Sequence, residues 1–130
     1  MEDQYPDDFT GCRPVLPTVD LDASIEYYVD ILGFTLDWIV PSATDTNSPA
    51  VTRTAYVFRG HFELLLKSQP TGVHSAEIVV GLPSVDAVNR VHQEFVASGA
   101  RIEEPPSKRK SGTYEMLVLD RDEHRLRILH

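Results

Sequence analysis

The chain has 130 residues, 42% of them hydrophobic and 25% charged, which is typical of one soluble globular domain. Its formal net charge of −8 disfavours nucleic-acid binding, because an acidic surface repels phosphates. Cys12 is the one cysteine, which excludes an intramolecular disulfide and leads us to expect a cytoplasmic location. The acidic start MEDQYPDDF does not resemble a secretory signal, and no apolar run is long enough to span a membrane.

In the first half, the β-rich run RPVLPTV (13–19) is followed by a predicted helix that ends at Gly33. The apolar residues of that helix share one face: Leu21, Ile25, Tyr28 and Leu32. Three strands are then predicted in FTLDWIV (34–40), TRTAYVF (52–58) and HFELLLK (61–67), the last two joined by Arg59-Gly60. The polar segment 41–50 is predicted to be a loop.

The second half repeats this order. The run AEIVVGL (76–82) precedes a second helix that ends before Gly99, and its apolar side is Val85, Val88, Val91 or His92, and Phe95. Strands are predicted in ARIEE (100–104), TYEMLVL (113–119) and RLRIL (125–129), the last two joined by DRDEH (120–124). We expect the basic run 108–110 and the turn residue His124 to be solvated.

The two halves are related by an offset of 64 residues. Asp20 and Ser84 are both good helix N-caps, and the strand FELL (62–65) maps to LRIL (126–129). Both halves therefore read β-α-β-β-β, with module one over about 12–70 and module two over about 75–130. One helix covers only one face of a four-stranded sheet, so the other faces must meet each other or a ligand. The predicted fold class is α+β.

Two stretches, LPTVDLDASIEYYVDILGF and GTYEMLVLDRDEHRLRIL, resemble the vicinal oxygen chelate superfamily. This group includes glyoxalase I, bleomycin-resistance proteins, extradiol dioxygenases and methylmalonyl-CoA epimerase. The second stretch is similar to the DPDG hairpin of the family, with Arg121 and Glu123 in place of proline and glycine. The resemblance covers Cys12 to His130, and it implies tandem βαβββ modules that form a cupped mixed sheet in a homodimer.

Metal-dependent members of that superfamily bind a divalent ion through four strand positions. Those positions match Arg13, Glu63, Glu77 and Arg127 here, although the match of Glu63 could slip to Leu65. Arginine has no lone pair for a metal, so we expect no metal, no cofactor and no catalytic residue. We predict instead two ion pairs, Arg13 with Glu63 and Glu77 with Arg127, or the same groups paired crosswise between modules. Breaking such a pair, if it is buried, is expected to cost about 3–5 kcal/mol.

Aromatic residues on predicted strands are candidates for ligand contact. The proposed ligand-binding set is Trp38, Tyr56, Phe58, Glu63, Glu77 and Tyr114. Core packing is the alternative for each aromatic side chain, and strand alternation leaves open whether Tyr114 or Glu115 faces the cup. We expect Trp38 to stack on a flat or cationic ligand.

The leading hypothesis is a metal-free protein, similar to bleomycin-resistance proteins, that sequesters a cationic or aromatic small molecule in a groove between the modules. One alternative is a metal-dependent lyase, isomerase or dioxygenase with displaced ligands. Another is a structural dimer that binds no small molecule. Neither a nucleic acid nor a membrane is an expected partner.

Overall fold

The computed structural model describes residues 9–41 and 52–130. The predicted loop 41–50, apart from Pro41, and nearly all of the acidic start lie outside the described residues. The first half contains β1 (Val15–Thr18), α1 (Leu21–Glu26), a π-helical turn (Tyr27–Ile31), β2 (Thr35–Val40), β3 (Thr54–Arg59) and β4 (Phe62–Ser68). The second half contains β5 (Glu77–Gly81), α2 (Val85–Ser98), β6 (Arg101–Lys108), β7 (Tyr114–Leu119) and β8 (Arg125–Leu129).

The strands form two four-stranded mixed sheets with the orders β1-β4-β3-β2 and β5-β8-β7-β6. In each sheet the first strand pairs parallel with the last, and the other neighbours are antiparallel. Two βαβββ units with the same topology confirm the predicted α+β architecture. Within the described part of the chain, no helix has the length and apolar character needed to cross a membrane.

Equivalent side chains cap the two helices. The Asp20 carboxylate accepts a hydrogen bond from the N–H of Ala23, and the Ser84 hydroxyl accepts one from the N–H of Ala87. Each cap pairs a backbone donor that the first helical turn leaves free. The predicted helix starts, 64 residues apart, are therefore confirmed.

The first helix widens before it ends. After Glu26 the backbone becomes π-helical, and the N–H of Leu32 donates to the carbonyl of Tyr27 five residues back. Gly33 then adopts a φ of +78°, and a Cβ there would lie 2.9 Å from Nη1 of Arg59. The backbone conformation is what favours glycine at this position, and any larger residue would also have to displace the end of the Arg59 side chain.

Two details of the second half differ from the sequence prediction. Val85 is exposed, and the buried face of α2 consists of Ala87, Val88 and Phe95. β6 continues beyond the predicted 100–104 segment through Pro105 and Pro106 to Lys108. Proline is tolerated there because β6 is an edge strand with irregular pairing on either side of Glu104.

The helix-facing side chains of both sheets form one shared core. Tyr28 packs edge-on against Phe34, with ring centroids 5.2 Å apart, and Phe34 packs against Phe62 at 5.3 Å. The second half contributes buried side chains to the same cluster: Val88, Phe95, Met116, Val118, Leu126 and Ile128. Because the core is continuous, the two units are held in a fixed relation by apolar packing.

The turn at residues 120–124 fastens the second unit to the first. The expectation that His124 is solvated is wrong, because its side chain is fully buried. Its Nδ1 accepts a hydrogen bond from the N–H of Ala76 at 2.9 Å, and its Nε2 lies 2.7 Å from the carbonyl oxygen of Pro17, to which it donates. The Asp122 carboxylate accepts from the N–H of Val19 at 2.9 Å. We refer to residues 120–124 as the clasp.

The buried Tyr28 of the first unit forms a hydrogen bond with the clasp. The Tyr28 hydroxyl donates to Oδ2 of Asp120 at 2.7 Å, and both residues are almost fully buried. Burial raises the pKa of Asp120, while the hydrogen bonds from Tyr28 and from nearby backbone N–H groups act in the opposite direction. Burial likewise raises the pKa of Tyr28 well above its ordinary value.

Replacing Tyr28 with phenylalanine should therefore destabilise the protein. The change leaves a buried acceptor on Asp120 without its side-chain donor, which costs about 1–3 kcal/mol. Tyr114→Phe is the matched control, because it removes a hydroxyl that donates to the half-buried Asn89, where water can replace it. Unfolding in urea should show a larger loss of stability for Tyr28→Phe than for Tyr114→Phe, and equal losses would contradict the weight given to the buried Tyr28–Asp120 bond.

Candidate ligand-binding site

Each sheet has one face against the helices and one face turned away from them. On β4, Leu64 and Leu66 are buried in the core, so the alternate residues Glu63 and Leu65 point to the other side. We call this second side the open face of a sheet. No helix of the described residues covers the two open faces, so their side chains are candidates for contact with a ligand.

A row of three aromatic side chains lies on the open face of the first sheet. Trp38 and Tyr56 are paired across β2 and β3 with ring centroids 5.6 Å apart, and Tyr56 and Phe58 are 5.9 Å apart. A bulge in β2 places Trp38 opposite Tyr56 but Leu36 opposite the buried Val57. Trp38 remains 37% exposed. We call Trp38, Tyr56 and Phe58 the aromatic row.

Arg13 and Glu63 border the aromatic row. Nε of Arg13 lies 3.3 Å from Oε1 of Glu63, and the guanidinium carbon lies 4.4 Å from the centroid of the Tyr56 ring. The Tyr56 hydroxyl donates to Oε2 of Glu63 at 2.6 Å. This hydrogen bond, followed by the one from Arg13, lowers the pKa of Glu63, and the same bond to Glu63 raises the pKa of Tyr56.

The open face of the second sheet is charged rather than aromatic. Arg127 donates to Glu77 at 3.0 Å and to Glu115 at 2.8 Å, and Arg125 donates to Glu77 at 3.2 Å. Hydrogen bonds from Arg127 and Arg125 lower the pKa of Glu77. A bond from Thr113 and then one from Arg127 lower that of Glu115, and the two glutamates raise the pKa of Arg127. Both predicted within-module pairs, Arg13–Glu63 and Glu77–Arg127, are present.

The sequence prediction missed Arg125 as a member of this network. In the first sheet Val15 lies level with Leu65, whereas in the second sheet Val79 lies level with Arg127. Adding 64 to Leu65 gives Leu129, but the residue paired with Val79 is Arg127, so the β5–β8 pairing is shifted by two residues. By the same shift, the residue of β8 that occupies the position of Glu63 is Arg125. The alternation in RLRIL, with arginines two residues apart, was the signal that could have identified it.

Arg109 also joins the network, although the basic run 108–110 was expected to be solvated. Its guanidinium contacts Glu104 and lies 3.5 Å from Glu115. Lys108 and Lys110 are exposed, as expected. The middle residue of the run therefore closes one end of the charged open face.

The predicted candidates do not all share one face. Tyr114 packs against the core, and its hydroxyl donates to Asn89 of α2 at 2.7 Å, so it lies on the helix side. Its neighbour Glu115 faces the open side, which answers the question that alternation left open. The structure thus brings Trp38, Tyr56, Phe58 and Glu63 together, places Glu77 on the other sheet, and sets Tyr114 apart from both groups.

A cleft of about 730 Å³ lies between the two units. Its first-unit wall includes His61, Phe62 and Glu63, and its second-unit wall consists of residues 78–81 of β5 together with Leu82 and Val91. A smaller space of about 330 Å³ adjoins Arg13 and Glu63. Glu63 therefore lines both spaces and also contacts Tyr56 of the aromatic row, whereas Trp38, Tyr56 and Phe58 line neither space.

The four matched positions do not fit a divalent cation. A guanidinium has no free lone pair at neutral pH and repels a cation, and each of the two glutamates already accepts hydrogen bonds from arginine. Among the described residues, no group of three or more histidine, cysteine, aspartate or glutamate side chains is placed to hold a metal ion. These residues thus offer no donor set of the kind that zinc or iron enzymes use.

Residues 12–128 match the family model described as the Glyoxalase/Bleomycin resistance protein/Dioxygenase superfamily. The fold is similar to TioX from Micromonospora sp. ML1, with a TM-score of 0.73 and 21% identity over 92% of this chain and 98% of that one. It is also similar to lactoylglutathione lyase from Agrobacterium tumefaciens, with a TM-score of 0.70 and 16% identity over 95% of each chain. Such low identities establish the fold alone. A comparison with curated proteins found no match.

The charged network makes a prediction about stability. Arg127 and Glu77 are partly exposed, at 22% and 40%, whereas the Glu115 side chain is only 10% exposed. Water therefore screens the Arg127–Glu77 pair, so the cost expected for a fully buried pair does not apply to it. In double-mutant cycles with Arg127→Met, coupling to Glu115→Gln should be about 1–2 kcal/mol and coupling to Glu77→Gln below about 1 kcal/mol.

Urea unfolding of the single and double variants would measure both couplings. Strictly additive losses in both cycles would contradict the pairing. A larger coupling to Glu77 than to Glu115 would contradict the role given to burial.

Proposed function

The chain belongs to the Glyoxalase/Bleomycin resistance protein/Dioxygenase superfamily, and we propose that it is a metal-free member that binds a small aromatic ligand. The aromatic row on the open face of the first sheet is the observation that carries this proposal. The finer expectations, a bleomycin-resistance type of function and a cationic ligand, are part of the same proposal.

The shape of the aromatic row suits a flat ligand. An offset or tilted stack on Trp38 would bury both a large apolar area and the exposed indole. Phe58 is partly exposed beside Tyr56, and Val40, on the same strand as Trp38, is 56% exposed. Tyr56 itself is only 7% exposed, because Arg13 lies over its ring and Trp38 and Phe58 flank it. Exposed apolar groups in a continuous patch are a common feature of binding surfaces.

The charges near the aromatic row favour a cationic ligand. The net charge of −8 attracts cations over a distance, and Glu63 places a carboxylate beside the Tyr56 ring. A lowered pKa keeps Glu63 ionised at neutral pH. An aromatic face with an adjacent carboxylate is an arrangement that stabilises organic cations.

No described group of side chains favours the alternative function, a metal-dependent lyase, isomerase or dioxygenase. Such chemistry needs several metal-binding side chains in one place, with open positions for the substrate. The described residues bring no such group together. Binding without chemistry is therefore the function that we propose. The homodimer and the cytoplasmic location expected from the sequence remain predictions.

Trp38 provides a direct assay, because it is the one tryptophan of the chain. Titration with a planar aromatic cation such as ethidium should quench its fluorescence with one-site saturation. At a ligand concentration 100 times the dissociation constant, binding should also stabilise the protein by about 2.7 kcal/mol. Trp38→Ala should weaken binding about tenfold in calorimetry, because stacking on the indole is lost.

Val96→Ala is the control for this experiment. Val96 is an exposed apolar residue on α2, the helix that packs on the helix-facing side of the second sheet, and its truncation should leave affinity unchanged. If a panel of planar aromatic compounds, charged and neutral, produced neither quenching nor thermal stabilisation, the proposed function would be wrong. Equal affinity in the wild type and Trp38→Ala would show that the ligand lies elsewhere.

A further inference from the structure

The cation-binding position beside the aromatic row is already filled by a side chain of the protein. The Arg13 guanidinium lies over the Tyr56 ring, 4.4 Å from its centroid, and its Nε faces Oε1 of Glu63 at 3.3 Å. These contacts, a cation over a ring and a charge-assisted bond to a carboxylate, are the ones that an organic cation would make at the same place.

The cation-binding position is formed by Tyr56 and Glu63, whose contact with each other does not involve Arg13. The Tyr56 hydroxyl donates to the second carboxylate oxygen of Glu63 at 2.6 Å, which holds the carboxylate beside the ring. Cross-strand pairing supports this geometry, because Glu63 lies opposite Phe58 and Tyr56 lies opposite Leu65 in the same sheet. The ring and the carboxylate should therefore remain in place when Arg13 leaves.

Arg13 is held less firmly than Arg127 on the open face of the second sheet. Its side chain is 47% exposed, and its contact with a carboxylate among residues 9–41 and 52–130 is the one bond to Glu63. Arg127 is 22% exposed and bonds to two glutamates. Arg13 also precedes β1, so its side chain can swing away without breaking strand pairing. An exposed pair of this kind contributes little to stability and is readily exchanged.

We propose that Arg13 is an internal competitor that occupies a cation site formed by Tyr56 and Glu63, and that the ligand is an aromatic compound whose amidinium, guanidinium or ammonium group displaces it. This inference rests on the proposed function and adds the exact place of the ligand's cationic group and the side chain that must leave it. It predicts that removing the Arg13 side chain strengthens the binding of a cation by more than removing one positive charge far from the site would.

The test compares benzamidine, a planar aromatic cation, with benzamide, its neutral counterpart of nearly the same shape. Calorimetry on Arg13→Met should show benzamidine binding about tenfold tighter than in the wild type, because the competing cation is gone. Benzamide affinity should be unchanged. Arg13→Gln serves as a second variant with the same expected direction.

Two matched variants control the comparison. Arg90→Met removes the same charge from an exposed position on α2 and should change benzamidine affinity by no more than about twofold, because salt screens distant charges. Glu63→Gln should abolish the preference for benzamidine over benzamide, because the carboxylate is lost.

The outcomes separate the two proposals. Tighter benzamidine binding in both Arg13 variants, with Arg90→Met close to the wild type, supports the inference. Unchanged or weaker benzamidine binding in folded Arg13 variants that still bind benzamide overturns the inference and leaves the proposed function standing. Failure of both probes to bind the wild type and every variant counts against both proposals.

Discussion

Arginine–glutamate pairing on the open faces of the two sheets is the interaction on which the chemistry of this protein depends. Arg13 contacts Glu63 and Arg127 contacts Glu77, so the carboxylates that could face a ligand are already paired with guanidinium groups. A guanidinium cannot bind a metal ion, and it also repels one. The pairing is therefore consistent with our proposal that the first open face recognises a ligand by stacking and charge.

The fold explains why the two open faces differ in character. Both units have the same βαβββ topology and share one core, but their parallel strand pairs differ in register by two residues. In the first sheet an aromatic row stands beside one arginine–glutamate pair. In the second sheet, arginines and glutamates are linked by a series of hydrogen bonds. Leu117, on the same strand as Glu115, is fully buried. The aromatic face is the one to which we assign the proposed ligand, because the charged groups of the second face are largely paired with one another.

Much of the fold could be predicted from local patterns. The caps at Asp20 and Ser84 depend on one side chain and the following turn, so the sequence alone indicates them. The ion pairs could be predicted because strand alternation places arginine and glutamate on one face, whatever the exact partner. Arg125 was missed because the register of a parallel pair is set by tertiary packing, to which an offset between repeats is an imperfect guide.

Other features depend on contacts between distant segments. The DRDEH turn is polar and looks solvated, but His124 is buried because the turn packs against the first unit. Strand alternation assigned Tyr114 and Glu115 to opposite faces but did not show which of them faces the helices. The hydrogen bond from Tyr114 to Asn89 of α2 places Tyr114 on the helix-facing side. The aromatic row could be proposed from the sequence, but the bulge that aligns Trp38 with Tyr56 could not.

The central claim is tested most directly by anomalous diffraction from crystals grown with zinc or nickel ions. Pairing of the glutamates with arginine predicts no anomalous peak within bonding distance of Glu63 or Glu77, and intact contacts from Arg13 and Arg127. A well-occupied ion coordinated by either carboxylate, with the neighbouring arginine turned away, would contradict the account.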